Sequence, residues 1–171
     1  MRRPEPTLNE RFLSDGDYIV SKTDLHGHII YCNKIFIKIS GYSEKELIGS
    51  PHSILRHPDM PKIVFKLLWE RIQNKEEIFA FVKNLCKDGS FYWVFANVTA
   101  TLDGDGNIRD YHSVRRKPNR DGVKAIEPIY AKLLEEEKRG GIEASGAYLK
   151  NLLKSNGTTY DELVFSLQRG E

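Results

Sequence analysis

The sequence predicts an α+β domain: a five-stranded antiparallel sheet with short helices on one face, followed by a helical C-terminal extension. Three observations lead there. Segments of strand-like patterning fall into two groups, one pair at the start and three near the end, with helical patterns between them. Strands grouped at both ends of a chain favour one antiparallel sheet with its helices on a single face. The turns Asp88-Gly89 and Asp103-Gly104-Asp105-Gly106 join the last three strands as a meander.

In order along the chain, residues 1–14 form a polar, proline-bearing N-terminal cap in which Leu8, Phe12 and Leu13 are the anchors. Asp17 to Asp24 reads as a strand, His26-Gly27 as a tight connection, and Gly27 to Cys32 as a second strand. Asn33 is placed to cap a short helix running to Ile39 and ended by Gly41. Ser43-Glu44-Lys45-Glu46 opens another helical piece with a capping-box pattern. Asp59 to Gln73 is the long central helix, with Asp59 as its cap, Pro61 in its first turn, and a broad apolar face. Ile78–Lys87, Phe91–Leu102 and Ile108–Lys117 are the three later strands, which closes a domain spanning residues 15–118.

The extension, residues 119–171, is helical by pattern. Its first helix runs from Asp121 to Lys138 and stops at Arg139-Gly140-Gly141. A second spans Ala144 to Leu153 and ends at Asn156-Gly157, and a third begins at Thr158 or Thr159 with Asp161 and Glu162 placed for a capping box. The extension has too few apolar residues for a core of its own, so it docks on the sheet, on a second copy or on a partner.

Composition excludes several classes. The 171 residues suit one domain with an appendage, and 40% hydrophobic with 29% charged content is that of a soluble globular chain. A net charge of +2, with bases and acids intermixed, gives no basis for binding nucleic acid. Apolar runs are too short for a membrane span, and the N-terminus lacks an apolar signal core, which points to a cytoplasmic protein. Cys32 and Cys86 have neither metal-ligand nor redox-pair spacing. No nucleophile motif or phosphate-binding loop is present, so the chain is not expected to be an enzyme.

The chemistry concentrates in Ile54-Leu55-Arg56-His57-Pro58-Asp59-Met60-Pro61 and in Trp69 beyond it. Two prolines fix a turn that presents Arg56 and His57 beside the polarised N–H groups of a helix start, a setting for an anion. Trp69 adds a surface for a flat ring, to stack on or pack edgewise against. The combination points to a phosphate-bearing aromatic cofactor.

Three stretches resemble PAS domains, and more narrowly the flavin-binding PAS domains of bacterial energy-taxis sensors (the Aer and CetB group). Thr23 to Asn33 resembles their opening hairpin, and Ile39 to Gly49 the helix–turn segment common to PAS domains. Arg56-His57-Pro58-Asp59-Met60-Pro61 with Trp69, Val82-Lys83-Asn84, Lys87-Asp88-Gly89 and Tyr92-Trp93-Val94 resemble the aerotaxis group in particular. The resemblance covers about residues 15 to 118. It implies the PAS fold, non-covalently bound FAD and redox-driven signalling, with flavin contacts at Arg56, His57, Asp59, Trp69 and Asn84 and a further candidate at Asn33. His57 and Asp59 equally suit a role in holding the loop. Asn84 would meet the uracil-like edge of the flavin, and Arg115 resembles a position implicated in signalling. With no span or receptor coiled coil in the sequence, the resemblance implies a separate membrane-bound transducer of the methyl-accepting chemotaxis type as partner, alongside a possible homodimer.

Rival readings remain open at this point. Light-sensing flavin domains carry a reactive Cys before the long helix, where this chain has Gly49-Ser50-Pro51-His52-Ser53-Ile54-Leu55 and no thiol. A haem sensor would use His52, His57 or His112 as ligand. A cofactor-free interaction module is the third reading.

Overall fold

A computed structural model describes residues 3–171. Five strands form one antiparallel sheet in the order β2-β1-β5-β4-β3: β1 (Ile19–Thr23), β2 (Ile29–Cys32), β3 (Ile78–Leu85), β4 (Phe91–Leu102) and β5 (Ile108–Arg116). Between β2 and β3 lie α1 (Lys34–Ser40), α2 (Glu44–Leu47), a 3-10 turn (His52–Leu55) and α3 (Lys62–Gln73). The predicted α+β class and five-stranded sheet are those observed.

Local sequence explains most boundaries. Asn33 caps α1 by accepting from the Phe36 N–H, and Gly41 ends the helix with a left-handed backbone that non-glycine residues adopt only at a cost. Ser43 and Glu46 form the expected reciprocal capping box on α2.

The start of α3 differs from expectation. The helix begins at Lys62, with Pro61 at its N-cap position and no side-chain cap on the element itself. Asp59 does not cap it, because its carboxylate accepts from Lys83 Nζ at 2.7 Å on β3. Pro61, itself extended, disfavours helical geometry for the residue before it, which delays the helix.

The extension forms α4 (Arg120–Ser155) and α5 (Tyr160–Arg169). The helical dihedrals of α4 break at Gly140 and Gly141, the predicted stop, and Thr159 with Glu162 caps α5 as a capping box. The extension docks on its own domain. It covers β3, the strand at one end of the sheet, whose outward backbone groups would otherwise lack partners. Tyr130 donates its hydroxyl to the Phe81 carbonyl at 2.7 Å, and Tyr160 donates to the Phe79 carbonyl at 2.8 Å. Phe165 packs on Phe79, and Trp93 stacks with Tyr130. The N-terminal segment is tied in as well, by a bidentate Arg120–Glu10 pair at 2.7 and 3.0 Å.

Tyr130 is buried, so Tyr130→Phe leaves the Phe81 carbonyl unpaired away from water. The expected cost is about 1–3 kcal/mol, read as a lowered urea midpoint with unchanged m-value.

Candidate functional site

Two periodicities build one cavity. On the sheet, alternate residues point to the same face: Ser21 and Thr23 from β1, Val82 and Asn84 from β3, Ala96 and Val98 from β4, and Tyr111, Ser113 and Arg115 from β5. On α3, Phe65, Leu68, Trp69 and Ile72 recur at helical spacing and form the opposite wall. The loop residues His26, Gly27, His52, Ser53 and Arg56 close the ends around a volume of about 380 Å³. That lies in the ordinary range of small-molecule sites.

Trp69 meets Tyr111 edge to face at 5.4 Å, which leaves an aromatic corner in the wall. Gly27 has φ +85°, and a Cβ there would come within 3.2 Å of the Trp69 ring. Glycine is therefore needed twice, for the turn and for the position of the indole.

Arg56 stacks its guanidinium over the Phe65 ring at 3.8 Å, and its buried Nε has no hydrogen-bond partner. Its backbone is bridged to Asn84, joining the Arg56 loop to the edge strand.

The most unusual group is Arg115, which is 2% exposed. It donates from Nη2 to Ser21 Oγ at 2.6 Å, and its Nη1 lies 3.3 Å from His52 Nε2. Its face covers the Phe36 ring at 4.5 Å, and Nε has no partner. None of these neighbours is an anion. Burial lowers the Arg115 pKa to about 10, which still leaves it charged at neutral pH. Burial, with the adjacent Arg115 charge, pushes His52 down to about 3, so the imidazole is neutral. Arginine can only donate, so Nε2 is the acceptor and the proton sits on Nδ1. The cavity thus holds an uncompensated buried cation with unused donors, a setting that favours an acceptor-rich or anionic ligand.

A family model described as the PAS fold matches residues 29–115. The chain belongs to the PAS family. It is 38% identical over 130 residues to the aerotaxis receptor of Escherichia coli strain K12, an alignment covering 76% of this chain and 26% of the receptor. The chain thus spans about a quarter of that relative's length. It also resembles the dark structure of the blue-light photoreceptor Aureochrome1 LOV (27% identity, TM-score 0.55, covering 75% of this chain and 98% of that one). A light-oxygen-voltage domain studied with a flavin analogue shares the fold at 24% identity and TM-score 0.57, covering 71% of this chain and 86% of that one.

Of the six residues singled out from sequence, this PAS domain brings Arg56, Trp69 and Asn84 together around the cavity. The other three lie outside its lining. Asn33 lines a shallow depression elsewhere, and its amide is spent on backbone: Oδ1 accepts from Val20 and Phe36, and Nδ2 donates to the Tyr18 carbonyl. His57 is buried against Phe91, and its Nδ1 accepts from the Asp59 N–H. Asp59 reaches outward to Lys83. His57 and Asp59 therefore hold the Arg56 turn against β3, the loop-holding role open to them from the sequence. Neither Cys32 nor Cys86 lines the cavity, and Cys86 donates to the Ile39 carbonyl.

Sequence reasoning missed Ser21 and gave His52 only a haem-ligand role. Ser21 meets Arg115 through the pairing of β1 with β5, in which Ser21 opposes Ser113 and Ile19 opposes Arg115, and His52 reaches both from the 3-10 turn. Residues so far apart in the chain carry no local signal. The one clue is the two-residue period of a strand, which puts Arg115 of β5 on the same face as Tyr111.

The depressed His52 pKa fixes a pH dependence. A histidine held neutral in the folded protein stabilises it fully above about pH 6.5, and that contribution falls as the unfolded chain binds the proton at lower pH. From about pH 7 to about pH 4 the loss at His52 is on the order of 3 kcal/mol. His57, pushed down to about 4 chiefly by burial, acts in the same direction. Urea unfolding across that range should show the slope, and His52→Gln should flatten it.

Proposed function

We propose that this PAS domain is a non-enzymatic redox sensor for energy taxis. It binds FAD non-covalently in the cavity between α3 and the sheet and signals to a separate membrane-bound transducer of the methyl-accepting chemotaxis type. The observation that carries the reading is the convergence of Arg56, Trp69 and Asn84 on a cavity whose buried Arg115 lacks an anionic partner. The orphaned Nε atoms of Arg56 and Arg115 fit a ligand bearing both phosphate and ring carbonyl acceptors. The kinship with an aerotaxis receptor supports the biological role.

Bound flavin would supply reversible electron and proton uptake. The residues around it do the rest. Trp69 and Phe65 exclude water and hold a flat ring against the sheet. Asn84 offers both a donor and an acceptor to a heterocyclic edge, and Arg115 with Ser21 offers fixed donors. A redox change that alters the ligand's donor pattern binds this set more or less well, and that difference is what shifts the domain's conformational balance. β5 carries Tyr111, Ser113 and Arg115, ends at Arg116 and leads within a few residues into α4, a short route from cavity to extension.

Haem has less support, because two of its three candidate ligands are ruled against: His52 Nε2 is taken by Ser21 and Arg115, and His57 lies outside the cavity, which leaves His112 as the one candidate on its lining. Titrating ligand-free protein with FAD and with haem tests the assignment. Saturable quenching of flavin fluorescence with no Soret shift is expected. A one-to-one haem complex without flavin binding would refute it.

A further inference from the structure

The amino end of α3 lacks a cap of its own, and the extension provides one. Glu137 of α4 accepts from the Ile63 N–H at 2.9 Å. Ser145, fully buried across the Gly140–Gly141 break, lies 3.2 Å from the same carboxylate oxygen. At the other end of α3, Arg71 donates to Asp161 of α5 at 2.7 Å. The extension thus holds both ends of the helix that forms the cavity wall. Arg56 stacks on Phe65, in the first turn of that same helix, so Glu137 and Arg56 flank one helix start.

We propose that Glu137, at the amino end of the helix that walls the cavity, is a charge-selecting residue: an anionic ligand group held by Arg56 opposes its carboxylate, so binding such a ligand loosens the extension. The inference rests on the flavin reading above and adds to it a specificity residue and a link to output. Arg56 is a fixed fork of donors with its Nε unused, and Glu137 bonds the Ile63 backbone. Glu137 on the Ile63 N–H and Arg56 over the Phe65 ring sit on the same first turn of α3, which places the two in one electrostatic field. A phosphate brought to Arg56 enters that field with the same sign as Glu137. Linkage makes the effect reciprocal: whatever the phosphate costs the docked extension, the docked carboxylate costs the phosphate. The break at Gly140–Gly141, three residues beyond Glu137, provides a hinge at which the arm can move.

The test uses the full-length chain stripped of ligand and titrated with riboflavin, FMN and FAD by fluorescence, for wild type and Glu137→Gln. Glutamine keeps the acceptor for Ile63 and removes only the charge. The variant should bind FMN and FAD about fivefold more tightly at low salt, leave riboflavin unchanged, and lose the advantage at high salt. An equal shift for all three ligands, or none, overturns the proposal while leaving the flavin reading intact. Wild-type protein that binds none of the three overturns both. Should Glu137→Gln fail to fold, amide exchange in the wild type decides. Ile63 is expected to exchange faster with FMN bound than with riboflavin, and equal protection overturns the proposal.

Discussion

Trp69→Ala yields protein that folds but purifies without flavin. The indole is half-buried, contributes one face of the cavity and braces Tyr111, while the bulk of the core lies elsewhere around Phe36, Leu47, Leu55 and Phe81. Losing one aromatic partner of a flat ring costs about 2–3 kcal/mol of binding, roughly a 30- to 150-fold weaker complex. The enlarged mouth also admits water to the ring. Trp69→Phe should recover much of the affinity, because phenylalanine keeps an aromatic face against Tyr111. The readouts are flavin content per protein after purification and far-ultraviolet circular dichroism as a check of folding. A Trp69→Ala protein carrying a full complement of flavin would remove α3 from the site.

Arg115→Met separates stability from binding. A buried guanidinium with serine, neutral histidine and an aromatic ring for company pays desolvation without a countercharge. Replacing such a charge by an apolar side chain of similar length is neutral or stabilising by about 1–4 kcal/mol, so the ligand-free variant should melt no lower than wild type. Ser21 and His52 remain within 3.3 Å of each other and can satisfy one another. Flavin affinity should fall at least tenfold, the worth of one charge-assisted hydrogen bond at about 1.5–3 kcal/mol. The opposite pattern, a large loss of stability with flavin affinity unchanged, would make Arg115 a structural residue.

These two residues also mark how far sequence alone reaches. Trp69 was legible because it sits at helical spacing with Phe65 and Ile72 on one apolar face, and the strands were legible from their patterning and from the turns at Asp88-Gly89 and Asp103–Gly106. Arg56 was legible because prolines at 58 and 61 fix its turn. Asn33 was read correctly as a cap, and that success is why it is absent from the cavity: its amide has no capacity left. Asp59 illustrates the competing case. Its sequence position suits a cap, but Lys83, 24 residues away on the neighbouring strand, offers a full charge at 2.7 Å. The cap of α3 from Glu137, 74 residues distant, is likewise tertiary, whereas the late start of the helix is the local effect of Pro61. Docking of α4 and α5 on β3 was one of three placements the composition allowed, and two tyrosine hydroxyls on β3 carbonyls fix it.

The most direct measurement is the absorption spectrum of freshly purified full-length protein, followed by identification of whatever heat releases from it. A band at roughly 450 nm and release of FAD are the expected result. Protein that is colourless, folded and indifferent to added FAD would contradict the assignment of this cavity as a flavin site.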